Sequence, residues 1–268
     1  MKRVLSGVIF LPFFIVVVYY GTLPLFFSLL SVALIIGLIE FFSMIKASGR
    51  ESYPITGILL GWLLFFSVFL GRRHFVLPAL TLIILLVLLY RLFLKDDLDH
   101  AIEGISHTLF GIFYLSLLLS YLLLLYGWKD GYQYIFLLFF ITWMGDTLAY
   151  YAGSLMGKKK LYPKISGGKT IIGSVGGLLG SIGGAYIAKF WFFPELGLND
   201  CLILGLLLGG FGQLGDLCES LIKRSAGVKD SGSIIPGHGG VLDRIDSILF
   251  SAPLLYYYFV FFPKGACY

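Results

Sequence analysis

Long, unbroken apolar runs limit what this chain can fold into more than any other feature. "RVLSGVIFLPFFIVVVYY", "LPALTLIILLVLLY" and "YLSLLLSYLLLLY" approach or exceed the ~20 residues with which a helix crosses ~30 Å of hydrocarbon. Inside a bilayer no water is present to satisfy backbone amides, so only helices and closed barrels can cross. Barrel strands alternate apolar and polar residues, and these runs do not alternate. Charged residues are 13% of the chain, about half the ~25% usual in soluble domains. The expected fold class is therefore all-α, a polytopic membrane helix bundle.

About nine transmembrane helices are expected, at residues 4–20, 22–45, 54–70, 74–94, 104–126, 131–156, 171–193, 199–224 and 243–262. The first follows Met1-Lys2-Arg3 as a signal peptide would, but no small-residue cleavage site follows it and a second span begins at once, so it reads as retained. The connections are short, which predicts one integral membrane domain over residues 1–268. Cys201, Cys218 and Cys267 supply no disulfide framework. With the N-terminus placed in the cytoplasm, 15 of the 20 Lys and Arg residues fall on that side, Lys158 to Lys160, Lys164, Lys169, Lys223, Arg224, Lys229 and Arg244 among them. The positive-inside rule favours this orientation.

An ionisable group in a span costs roughly 2.5–3.5 kcal/mol on insertion scales, so each needs a reason. Six acids qualify: Glu40, Asp146, Asp216, Glu219, Asp243 and Asp246. Glu40 stands by itself in "LIEFFSM" and reads as a snorkelling or interhelix-bonded acid. Gln213, Asp216, Ser220 and Lys223 recur at spacings of three and four, which puts them on one stripe of a helix. Asp243 and Asp246 lie three apart and share a face; Asp146 has Thr142 and Tyr150 four residues to either side. Ion pairs with Lys223, Arg224 and Arg244 would account for part of this set. Clustered carboxylates also suit a hard cation such as Mg²⁺, which takes one or two of them plus waters and phosphates. Asp146, Asp216, Asp243 and Asp246 exceed that number, so a second cation is expected as well.

The loop "GKKKLYPKISGGKT", residues 157–170, holds five lysines and no acid. Its end, Ser166-Gly167-Gly168-Lys169-Thr170, resembles the tail of a phosphate-binding G-x-x-x-x-G-K-[ST] loop. Pro163 stands where that motif needs its first glycine and no strand is expected before it, so it is not that motif. Its physical content survives: glycines let backbone N–H groups approach an anion, a lysine supplies charge, and the positive end of a helix follows. Lys158 to Lys160 read as topogenic. In the next span Gly173, Gly176, Gly177, Gly180 and Gly184 form a small-residue face, suited to close internal packing or to a homodimer.

The segment from Ser220 to Asp246, "SLIKRSAGVKDSGSIIPGHGGVLDRID", resembles the signature of the phosphatidate cytidylyltransferases, also called CDP-diacylglycerol synthases. Ser220, Lys223-Arg224, Lys229-Asp230, Gly232, Pro236, His238-Gly239-Gly240, Asp243-Arg244 and Asp246 carry the resemblance. "GDTLAYYAGSLMGKKKLYPKISGGKT" resembles a second block of that family more loosely, and residues 1–130 resemble only polytopic membrane proteins in general. The resemblance implies an enzyme of phospholipid synthesis that converts phosphatidic acid and CTP, with Mg²⁺, to CDP-diacylglycerol and pyrophosphate. It also implies a bacterial inner-membrane location with the active site facing the cytoplasm, and no nucleic-acid partner.

On that reading residues 1–130 are scaffold spans, and residues 131–262 are catalytic spans and cytoplasmic loops. Asp146, Asp216, Asp243 and Asp246 are the expected metal ligands. Asp216, Asp246, Lys169, Lys223, Arg244 and His238 are the expected catalytic residues. Substrate contacts are expected from Lys164, Ser166, Gly168, Lys169, Thr170, Ser220, Lys223, Arg224, Lys229, Asp230, His238, Gly239, Gly240 and Arg244. His238 has three available roles: base, donor to phosphate, or shaper of the loop. A CDP-alcohol phosphotransferase is disfavoured because the sole Asp-Gly, Asp130-Gly131, lacks the Ala-Arg that should follow. A secondary transporter would show matching interrupted helices in two halves, whereas the ionisable residues here crowd the C-terminal half.

Overall fold

Helices α1 (Lys2–Tyr20), α2 (Leu23–Ala47), α3 (Pro54–Phe69), α4 (Arg73–Phe93), α5 (Ala101–Gly111) and α6 (Leu118–Tyr126) are followed by α7 (Gly131–Met156), α8 (Ile171–Trp191), α9 (Leu198–Ser225) and α10 (Leu242–Phe261). The structure, a computed structural model, describes residues 2–71, 73–94, 98–232 and 239–262. A π-helical turn, Ile112–Leu117, joins α5 to α6, so that Ala101–Tyr126 runs as one helix. Each apolar segment expected from the sequence is thus helical. Among the described residues six helices are long and apolar enough to cross a membrane, and Leu11–Tyr20 and Pro54–Phe69 are shorter apolar helices.

The punctuation is local. Pro24 and Pro54 stand in the first turns of α2 and α3, where a missing N–H leaves no helical bond unmade. Gly49 and Gly71 lie just past the ends of α2 and α3 with φ of 73° and 67°, the left-handed stop that glycine takes without a Cβ penalty. Phe93 and Phe190 are 78% and 77% exposed, with Ile55, Leu92 and Trp191 similarly bare. Large apolar side chains facing outward on long apolar helices suit lipid as solvent, and the chain is an integral membrane protein.

The chain divides into two compact units. Met1–Leu124 and Lys223–Arg244 make the first; Leu125–Ile222 and Ile245–Tyr268 make the second. The stretch from Lys223 to Arg244 groups with the N-terminal helices. In the first unit Leu60, Leu64, Ile83, Val87 and Ile112 form a buried cluster, and Phe27 stacks on Phe65 and Phe69. The Tyr53 amide donates to Thr108 Oγ1 at 2.9 Å, fixing the start of α3 against α5.

In the second unit α7 and α8 pack through glycine. A Cβ at Gly180 would lie 2.6 Å from the Met144 carbonyl oxygen, and one at Gly173 2.9 Å from that of Ala149. Against α9, a Cβ at Gly205 would come 2.5 Å from Ile182 Cα. The small-residue face of α8 is therefore occupied inside the unit. Because the nearest neighbour at Gly180 is backbone, Gly180→Val should push α7 and α8 apart and cost about 1–3 kcal/mol, the usual range for overpacking. Thermal unfolding in detergent would measure it; an unchanged midpoint would contradict the close contact.

Between α7 and α8 the lysine-rich loop is a β-hairpin, which the sequence reading did not anticipate. Strand β1 (Lys160–Tyr162) pairs antiparallel with β2 (Ser166–Thr170), Lys160 opposite Thr170 and Tyr162 opposite Ser166. The Ile165 amide closes the turn on the Tyr162 carbonyl at 3.2 Å, and the Ile171 amide donates to the Lys159 carbonyl at 3.0 Å. Strands of three and five residues rich in lysine and glycine carry no apolar alternation, so the period-2 signal is missing.

Candidate functional site

The hairpin places Lys169 one residue before Thr170, which is the N-cap of α8. Thr170 Oγ1 accepts from the Gly173 amide at 3.0 Å, satisfying one of the free N–H groups at the helix start. Thr170, expected among the substrate contacts, is buried and caps the helix. Lys169 then reaches α9, where its Nζ lies 2.7 Å from Asp216 Oδ2 and 3.5 Å from the Gln213 carbonyl oxygen. Ser220 Oγ donates to Asp216 Oδ1 at 3.4 Å. Gln213 locks the register of α8 on α9: its Oε1 accepts from Ser174 Oγ, and its Nε2 donates to the Ser174 carbonyl at 3.1 Å. The predicted stripe of α9 is thus in use on the face that meets β2 and α8.

Asp146 of α7 lies within electrostatic reach of both Asp216 and Lys169. It lines a small cleft with Thr142, Gly145, Ser181, Gly212, Gln213 and Ser247. Asp246 belongs to the same unit. A Cβ at Gly215, the residue before Asp216, would sit 2.7 Å from the Asp246 carbonyl oxygen, so α9 and α10 meet at the level of these two acids. The Lys169 and Asp216 side chains are 25% and 35% exposed. An ion pair this open stabilises a fold by at most about 1 kcal/mol, and Lys169 can exchange its partner for an incoming phosphate at little cost. The Cβ positions of Gly167 and Gly168 meet nothing within 4 Å, leaving that backbone open to approach.

The first unit contains a different construction. Asp243 Oδ1 is paired with Lys223 Nζ at 2.5 Å. Its Oδ2 accepts from the Ser231 amide at 3.1 Å, Ser231 Oγ at 2.9 Å and the Gly240 amide at 2.8 Å. Both oxygens of Asp243, one of the expected metal ligands, are therefore engaged by protein donors. Gly239 has φ 83°, and a Cβ there would lie 2.7 Å from Asp243 Oδ2. Glu40 of α2 is 3% exposed and accepts from the amides of Val241 at 3.0 Å and Leu242 at 2.9 Å. The interhelix-bonded reading of Glu40 is the one found.

Among the described residues no set of three or more His, Cys, Asp or Glu side chains is gathered to hold a metal. Arg224, Lys229, Asp230 and Arg244 are exposed, and Arg224 donates to the Val228 carbonyl at 2.9 Å. Lys164 lies exposed at the hairpin turn, and Ser166 is half-buried. Pro236 and His238 lie outside the described residues, as does Cys267; Cys201 and Cys218 are free. Sequence reasoning missed Ser174, Ser181, Ser231 and Ser247. For Gln213 a signal existed, since it precedes Asp216 by three residues on the stripe.

The protein is a helical membrane protein whose lysine-bearing hairpin is set against a carboxylate of α9. The chain belongs to the cytidylyltransferase family, whose model matches residues 1–262. It is 33% identical to the phosphatidate cytidylyltransferase of Bacillus subtilis (strain 168) over 267 residues, 97% of this chain and 98% of that protein. The protein of that name from Staphylococcus haemolyticus is 50% identical over 127 residues, 47% of this chain and 49% of its own. That from Staphylococcus aureus (strain COL) is 50% identical over 129 residues. The staphylococcal matches thus span about half of each protein, the Bacillus match nearly all. These relatives form a family of nucleotidyltransferases.

Proposed function

We propose that this protein transfers the cytidylyl group of CTP to phosphatidic acid, giving CDP-diacylglycerol and pyrophosphate. Beyond family membership, one observation carries the reading: Lys169 of the hairpin is placed on Asp216 of the signature helix. A phosphate oxygen of phosphatidic acid attacks the α-phosphorus of CTP. The bond to the bridging oxygen of the β-phosphate breaks, and pyrophosphate leaves with that electron pair. The attacking oxygen is already anionic at neutral pH, so no general base is required. Such transfers need in-line positioning and charge neutralisation far more than covalent help.

Lys169 and the open backbone of Gly167 and Gly168 are assigned to the nucleotide phosphates, with Ser166 and Lys164 beside them. In the first unit Lys223, Arg224, Lys229 and Arg244 are assigned to phosphate contacts as well. Asp146, Asp216 and Asp246 supply hard oxygen donors, and the cleft beside Asp146 has no His or Cys in its lining. That donor set fits Mg²⁺, with waters and substrate phosphates completing its shell. Mg²⁺ held there supplies charge neutralisation for the phosphate oxygens. Three carboxylates exceed what a single Mg²⁺ usually takes, which is the ground for proposing a second cation. We further assign all nine helical rods found among the described residues as spans. The N-terminus and the hairpin then face the cytoplasm of a bacterial inner membrane, where CTP is supplied.

Purified protein given phosphatidic acid and labelled CTP should place label in the lipid phase only when Mg²⁺ is present. Absence of Mg²⁺-dependent labelled lipid would reject the activity. Label transfer from CDP-diacylglycerol to an added alcohol would instead point to a phosphotransferase.

A further inference from the structure

Glu40 is a buried acid within the long apolar helix α2, and none of the roles above uses it. It lies in α2, 201 positions before the amide it binds at Val241. Its carboxylate is buried and accepts from Val241 N at 3.0 Å, Leu242 N at 2.9 Å and Ser231 Oγ at 3.2 Å. Two glycines are pressed onto it, since a Cβ at Gly232 would come 2.7 Å from Glu40 Oε1 and one at Gly240 2.5 Å from Oε2. Side chains at either position would displace the carboxylate, so the backbone there is shaped around it.

The geometry is that of a cap supplied from another helix. The first amides of a helix lack internal partners, and a negative charge is favoured at that end. Glu40 takes the amide of Leu242, the first residue of α10, and that of Val241 just before it, and Asp243 takes Gly240 N and both Ser231 donors. The single Ser231 hydroxyl hydrogen is shared between the two carboxylates, with Oγ 3.2 Å from Glu40 Oε2 and 2.9 Å from Asp243 Oδ2. The Arg244 amide is bonded to the Val241 carbonyl at 3.0 Å, so the turn that Glu40 holds is the turn that carries Arg244. A carboxylate placed among apolar residues costs several kcal/mol unless it is fully bonded. A fold that needed only packing at position 40 would be served as well by leucine.

We infer that Glu40 is a positioning residue for the reaction: it sets the first turn of α10, and with it Arg244, without touching substrate. The inference rests on the proposed cytidylyl transfer, but part of its test does not. Glu40→Gln keeps the shape and one acceptor while replacing the other with a donor that faces donors. Glu40→Asp keeps the charge and shortens the reach. Measured per folded molecule after size-exclusion chromatography, kcat should fall in the order Glu, Asp, Gln, by about tenfold or more for Gln. KM for CTP should stay within about threefold. Ser231→Ala, which keeps the carboxylate, should lower kcat about threefold with the same KM.

Trypsin supplies the readout that is independent of activity. Cleavage after Lys229 and Arg244 should accelerate about tenfold in Glu40→Gln, while cleavage in the Lys158 to Lys160 stretch keeps its wild-type rate. A Glu40→Gln enzyme with wild-type kcat, a kcat loss accounted for by unfolded protein, or unchanged cleavage at Lys229 and Arg244 would each overturn the inference. If wild type makes no labelled lipid, the proposed activity fails, and the cleavage rates still decide whether Glu40 holds this turn.

Discussion

Asp216→Ala should abolish cytidylyl transfer, with a loss on the order of 10³-fold or more, in a protein that still inserts and folds. The expectation comes from where the carboxylate stands. Asp216 occupies the middle of α9 with its Oδ2 on Lys169 and its Oδ1 facing Ser220, one residue after the glycine that packs on Asp246. Removing it takes away a proposed Mg²⁺ donor and frees Lys169 from the partner that aims it. Losing one preorganised electrostatic group at a site of charge development costs about 10²–10³ in rate, and losing a metal ion with it costs more. The fold should barely register the change, because a pair whose members are 25% and 35% exposed contributes at most about 1 kcal/mol. Label transfer from CTP to lipid and thermal unfolding, measured on one preparation, separate the two effects. Normal turnover in Asp216→Ala would sink the assignment of this site.

Asp243→Ala should do the reverse and act first on stability. Lys223 and Asp243 are 10% and 11% exposed, and the same carboxylate also satisfies Ser231 and Gly240. Truncating one member of a buried, hydrogen-bonded pair leaves an uncompensated charge and costs about 3–5 kcal/mol. For a chain of this size that corresponds to a fall of roughly 6–12 °C or more in Tm. The double variant Lys223→Met, Asp243→Leu should recover part of that loss, since the isolated charge is gone. An Asp243→Ala protein that unfolds at the wild-type temperature would mean that the clasp seen here does not hold the first unit together. The two acids thus divide by environment, with Asp216 partly exposed and Asp243 enclosed by donors.

The helices were legible in the sequence because a bilayer enforces a simple code. Runs such as Leu77 to Tyr90 must be helical if they lie in hydrocarbon, whatever their neighbours are. The glycine face of α8 was legible for a similar reason: residues without side chains at spacings of three and four permit close approach, and Gly173, Gly177 and Gly180 indeed meet backbone of α7. The stripe of α9 followed from helical periodicity, and the signature from the order of its residues.

What the stripe met was not legible. Periodicity places Asp216 and Lys223 on one face, but it cannot say that the first meets Lys169 of the hairpin and the second Asp243. The hairpin was hidden because its strands are too short and too polar to show alternation. Glu40 could be recognised as expensive but not as the cap of a helix two hundred residues later. Read by itself, the sequence determined the solvent, the helices, the family and the identity of the acids that need explaining. Only the tertiary structure decided which of those acids remain open and which are enclosed, because the state of a carboxylate depends on the donors brought to it from distant parts of the chain.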